Sequence, residues 1–262
     1  YRMAAKIRPL LFWIGRDNVG EADAVWRRGA DGALGYELLI GSDPTRAPRK
    51  INRWGYIAEQ IEGSEACLLG VMKQSDEESI EEAKARLASE GQDGRYVFKA
   101  IRAVATPDEA RASVTTVNVP RDLTLHDLPA LLDILTDESR GTPMRSVHLP
   151  SGTRPGFLVA LAEIVHTNVE GYRQSASAAS RSAGPVTFVY NGTLHDLTLR
   201  RSELLRTWSA GTRTGTNVVR ANFESRNRKT GEKTRFELVY GTDGPLAEVP
   251  LHATYQPRWW FQ

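Results

Sequence analysis

Apolar and polar residues alternate with a period of two at both ends of the chain, while a 3.6-residue period is confined to its middle. Near the N-terminus, Ala22 to Trp26 and Leu34 to Ile40 flank the turn signal Gly29-Ala30-Asp31-Gly32 and read as a hairpin. Tyr56 to Ile61 and Glu65 to Met72 read as a second pair around Glu62-Gly63-Ser64. Tyr96 to Val104 and Ser113 to Val119 read as strands of the same sheet system. Toward the C-terminus, Val186 to Tyr190 and Thr193 to Leu199 flank Asn191-Gly192, a two-residue hairpin turn. That turn sets Phe188 opposite His195, Val189 opposite Leu194 and Thr187 opposite Asp196. Val218 to Arg226 is expected to pair with Thr234 to Tyr240 through Lys229-Thr230-Gly231-Glu232, and Val249 to Tyr255 to form a last strand.

Three helices are expected between these regions. Ser75 and Glu78 form a capping box ahead of Ile80, Ala83 and Leu87, with Gly91 as the stop. A second helix runs from Leu128 to about Thr136, capped by Asp127, with Pro129 in its first turn and Leu131, Leu132 and Leu135 on its apolar face. A third spans Phe157 to Tyr172, where Phe157, Leu161, Ile164, Val165 and Val169 form one stripe. Hairpins at both ends and helices grouped in the middle predict a β-dominated α+β fold. Its antiparallel curved sheets would form a sandwich or incomplete barrel with the three helices packed on one side, rather than a doubly wound parallel sheet. The small, polar, aperiodic run from Gln174 to Pro185 reads as a flexible linker or loop. It divides an N-terminal α+β region, 1–173, from a C-terminal antiparallel β region, 186–262, which could complete one sheet system with the N-terminal strands. The pentapeptide TLHDL occurs at Thr124 to Leu128 and at Thr193 to Leu197, once before a helix and once in a strand, which reads as coincidence.

Composition narrows the function classes. Of 262 residues, 40% are hydrophobic and 25% charged, the balance of an ordinary globular protein. No apolar run approaches the roughly 20 residues of a membrane helix. The sequence starts at Tyr1, from which an extracytoplasmic place, periplasmic or secreted, is expected. Cys67, in Ala66-Cys67-Leu68-Leu69, has no partner for an internal disulfide and is expected to be buried and unreactive. From Arg181 onward, 12 Lys and Arg face 7 Asp and Glu. That bias favours anionic partners but falls well short of a dedicated nucleic-acid binder.

Candidate chemistry is sparse. His126, His148, His166, His195 and His252 show no metal-site spacing, since no two lie one helical turn apart, and neither a metal nor a cofactor is expected. His195 and Asp196 are neighbours in a strand and point to opposite faces, so they cannot act as a pair. Ser151 to Gly156 is glycine-rich and precedes a helix, but lacks the Lys-Ser/Thr ending of a phosphate loop. No Gly-x-Ser-x-Gly is present, and no residue is assigned a catalytic role. The best site candidate is the connection ending at Tyr56, where Arg46, Arg49, Lys50 and Arg53 suit an anion and Trp54 and Tyr56 a ring. Trp259 and Trp260 near the C-terminus offer an aromatic surface to a partner. The expected function is therefore that of a non-catalytic binding or accessory protein. It would use a β-sheet face to hold a protein partner or a small apolar ligand rather than nucleic acid. Contact with a membrane surface stays open. The alternatives are an enzyme of unrecognised type, such as a hydrolase, and a polyanion-binding subunit.

Overall fold

Each hairpin signal becomes a hairpin. The computed structural model describes residues 2–7, 14–30, 32–47, 54–73, 95–120, 123–138, 143–175, 181–210 and 213–255. Two antiparallel sheets dominate it, and the chain divides into two compact units, Tyr1–Ala5 with Gly15–His148 and Lys6–Ile14 with Leu149–Gln262.

The first sheet has eight strands in chain order: β1 (Arg2–Ile7), β2 (Ile14–Arg28), β3 (Leu34–Ser42), β4 (Trp54–Glu62), β5 (Glu65–Lys73), β6 (Arg95–Ala105), β7 (Glu109–Pro120) and β8 (Arg145–His148). Helix α1 (Leu128–Glu138) follows a 3-10 turn at Leu125–Asp127. The start of this element differs from expectation. Thr124 is the cap, and Asp127 reaches back to accept from the Thr124 backbone N–H at 2.8 Å and its hydroxyl at 2.9 Å. Leu125, Leu128 and Leu131 then pack on Trp54, Val71 and Ala100.

The second unit holds five strands in chain order: β9 (Arg181–Tyr190), β10 (Thr193–Ala210), β11 (Arg213–Asn227), β12 (Lys233–Gly241) and β13 (Pro250–Tyr255). Asn191 and Gly192 both take positive φ, 49° and 63°, as a two-residue hairpin turn demands. Phe188 pairs with His195, Val189 with Leu194 and Thr187 with Asp196, the expected register. Helix α2 (Phe157–Gln174) lies on this sheet and buries Leu161, Ile164, Val165 and Val169 against Leu197, Leu199, Val219, Phe223 and Tyr240. Inside that core, Asn168 donates to the Ser202 hydroxyl (3.0 Å) and accepts from the Tyr240 hydroxyl (2.8 Å), while Tyr172 shares a hydrogen bond with Ser202 (3.1 Å). These groups satisfy one another, as buried polar groups must.

One expectation is corrected. Among the described residues there are two α-helices rather than three, and the helix expected after Ser75 lies outside them. The two compact units meet in sequence at His148/Leu149; α2 is the covering layer of the second sheet, whose first strand begins at Arg181. The C-terminal strands form the five-stranded sheet. Among the described residues neither sheet closes into a barrel: β1 and β8 are the edges of one, β9 and β13 of the other. No helix among the described residues is long and apolar enough to cross a membrane.

Candidate functional site

Residues directly opposed in an antiparallel sheet point to the same face, so the register defines what each face presents. In the first sheet one row reads Ala24, Leu38, Ile57, Gly70, Ile101, Val114 from β2 to β7. The next reads Trp26, Tyr36, Glu59, Leu68, Ala103, Ala112, and a third Arg28, Leu34, Ile61, Ala66, Ala105, Ala110. Glu59 and Arg28 are the charged members of these three rows. At about 4.8 Å per strand, each row extends roughly 24 Å. This is the face away from α1: the cluster beneath the helix draws Leu39, Trp54, Leu69, Val71 and Ala100 from the alternate positions. Leu68 and Ile101 are buried, whereas Trp26, Ile40 and Val114 are 41%, 43% and 43% exposed. Trp26 sets its ring edge-on to Tyr36, 6.2 Å between centroids. Glu59, Ala66, Ala105, Ala110 and Ala112 of the same rows are buried as well, so the middle of this face is covered, and Trp26 and Val114 stand exposed toward its two ends in β2 and β7.

The five-stranded sheet supplies the contrast. Its face away from α2 carries cross-strand ion pairs. Glu203 accepts from Arg220, and Glu224 from Arg235 at 2.8 Å with Lys233 3.3 Å away. Arg228 grips Asp196 with Nε and Nη2, and also donates to Thr187 at 2.7 Å. Burial pulls the Asp196 carboxyl up, but the hydrogen bonds from Arg228 and Thr187 outweigh it and hold it below its usual value. Hydrogen bonds from Arg235 hold Glu224 low as well. These cations are spent on neighbouring acids, which weakens the polyanion reading.

The basic connection is less of a site than its sequence suggests. Arg46 is clamped between Asp43, with Nε to Oδ2 at 2.6 Å, and Glu21. Thr45 donates to the same Asp43 carboxylate through its hydroxyl at 2.6 Å and its backbone N–H at 2.8 Å, and these bonds with that of Arg46 pull the carboxyl down to about 2. Trp54 is 4% exposed, and Tyr56 is buried with its hydroxyl donating to Glu37 at 3.1 Å. Burial first, and the Glu37 charge second, push the Tyr56 phenol up to about 12. Both aromatics anchor the second end of the connection into the sheet, so neither presents a ring for stacking. Arg49, Lys50, Arg53, Trp259 and Trp260 lie outside the described residues.

The remaining candidates are also committed elsewhere. His195 stacks on Phe188 (5.1 Å, 18°), and burial pushes its imidazole down. Arg154, in the glycine-rich turn, bridges to Phe188 in β9 and pairs with Glu163 on α2. A cleft of about 320 Å³ between α2 and β9 is lined by Glu163, Thr167, Asn168, Arg181 and Ser182. Several of its polar groups have partners: Glu163 pairs with Arg154, Asn168 belongs to the core network, and Arg181 lies 4.6 Å over the Tyr172 ring and donates to the Ser175 carbonyl at 3.1 Å.

Sequence reasoning missed the apolar face because period-two alternation reveals two faces per strand without telling which side of each strand joins which. Its signal was present in the small and apolar residues of β2 to β7 at both odd and even positions, which is the mark of a sheet that is apolar on both sides. No family model, no curated protein and no solved structure matches this chain.

Proposed function

We propose that this is a non-catalytic binding or accessory protein that holds an apolar ligand, or the apolar surface of a protein partner, against the second face of its eight-stranded sheet. The supporting observations are the apolar composition of three register rows across β2 to β7 and the partly exposed Trp26 and Val114 within them, with Ile40 exposed in the adjoining row. Isolated exposed apolar residues are ordinary, but here they share a face with the buried apolar residues Leu68 and Ile101, and an apolar partner would dock at the exposed margins of that face. A curved sheet, in the manner of a sandwich or an incomplete barrel, would wrap such a ligand.

The test uses an apolar dye that brightens on leaving water, titrated into the full chain and followed also through intrinsic tryptophan fluorescence, with Trp26→Phe to isolate the contribution of Trp26. Ile40→Lys and Val114→Lys place charges on the face at half-exposed positions, where the fold tolerates them. Both should weaken dye binding severalfold while leaving the urea midpoint within the range of surface changes, about 0.5 kcal/mol. Native mass spectrometry of the purified protein should show a co-purifying apolar molecule or protein. Wild-type dye binding in both variants, with nothing co-purifying, would sink the reading.

A further inference from the structure

His166 and Glu170 lie one helical turn apart on α2 and therefore on the same side of it. A third donor comes from far away in sequence. Glu248 sits at the turn between the 3-10 segment Gly244–Leu246 and β13, and its Oε1 lies 2.8 Å from His166 Nδ1. One donor atom from each of the three residues falls within 4.8 Å of the other two. Four ligands around zinc at about 2.0–2.1 Å stand roughly 3.4 Å apart, so small side-chain rotations would bring these three to bonding distance.

The scaffold beneath them is fixed. The Glu248 N–H donates to the Gly241 carbonyl at 2.9 Å, and the Gly241 N–H to that of Val249 at 3.3 Å. The loop closes so tightly that a Cβ on Gly241 would fall 2.2 Å from the Leu246 carbonyl oxygen. Arg173, in the last turn of α2, donates through Nε to the Thr242 carbonyl at 3.0 Å, tying the helix to this same loop. The Thr242 hydroxyl is in turn bonded to the Asn217 carbonyl at 2.6 Å. Donors held on rigid, mutually braced elements lose little freedom when they bind.

We propose that His166, Glu170 and Glu248 form a binding site for a divalent cation of the zinc class. One imidazole and two carboxylates suit Zn2+, Co2+ or Ni2+, whereas the nitrogen ligand disfavours Mg2+ and Ca2+. The two carboxylates balance the charge of the cation, and the fourth coordination position stays open to water or a ligand. Binding asks Glu170 to release Arg173 Nη1, with which it pairs, while the Arg173 Nε bond to Thr242 persists. The cation would staple α2 to the turn before β13. His166 is 60% exposed, so the metal has access from solvent.

The experiment is zinc titration calorimetry on the full chain, stripped with chelator and dialysed, with Co2+ absorption as a second readout of coordination. One saturable Zn2+ per chain is expected, along with cobalt bands of the intensity typical of four-coordinate sites. His166→Ala and Glu248→Gln should each weaken zinc about tenfold or more, judged against the effect of outer ligand partners. His148→Ala, an exposed histidine in the other unit, should leave affinity unchanged. Circular dichroism confirms that each variant is folded. Absence of a saturable site overturns the proposal, as does wild-type affinity in both His166→Ala and Glu248→Gln.

Discussion

Trp54→Ala separates two views of the connection before β4. Its indole is 4% exposed and packs with Val71, Ala100, Leu125 and Leu131, of which Leu131 is fully buried. A tryptophan removes about 200 Å² from water, and at roughly 25 cal/mol per Å² its burial contributes about 5 kcal/mol, an upper bound because the unfolded chain already hides part of that area. Truncation to alanine leaves a cavity beneath the first turns of α1 that the capping box at Thr124 and Asp127 limits from collapsing. A cost of about 3–5 kcal/mol follows, in line with large-to-small changes in other cores. The assay is urea unfolding followed by circular dichroism, comparing Trp54→Ala with Trp54→Phe, which retains a ring and should lose distinctly less. If the alanine variant loses under about 1 kcal/mol while any ligand affinity falls, Trp54 is a stacking platform and the packing argument is wrong.

Two further outcomes follow from side chains whose surroundings differ from their local sequence. Cys67 is exposed, so a mild thiol reagent should label native protein about as fast as unfolded protein; strong protection in the native state would place Cys67 under a covering element. Asp43 is depressed from 3.8 to about 2 by Thr45 and Arg46, so its contribution to stability is complete above pH 3.8 and is lost as pH falls toward 2. Asp43→Asn should remove that part of the acid dependence, and identical slopes of urea midpoint against pH for the two proteins would refute it.

Local chemistry alone determined the strands other than β1 and β8, the four hairpin pairings β2/β3, β4/β5, β9/β10 and β11/β12, and the helices at Leu128 and Phe157. Asn191-Gly192 specifies a turn through backbone conformation, and with the turn fixed the neighbouring register has no freedom, which is why Phe188 meets His195. The same logic placed Cys67 on a strand but not on a face. Ala66 and Leu68 are buried on one side, and Cys67 points to the other, beside Gln60 and Val104, where it is exposed. Its apolar neighbours in sequence are not its neighbours in space. Arg46, Trp54 and Tyr56 look alike as members of a basic aromatic run, yet one is locked into an ion pair by Glu21 and the other two are buried by residues more than ten positions away. The apolar face depends on the register of six strands together, and the His166, Glu170 and Glu248 cluster needs a loop 78 residues beyond Glu170 to fold back onto α2. Periodicity and turn chemistry act over a few residues and can be read along the chain. Which faces are covered, and which distant side chains converge, depends on long-range packing, and only the tertiary structure decides it.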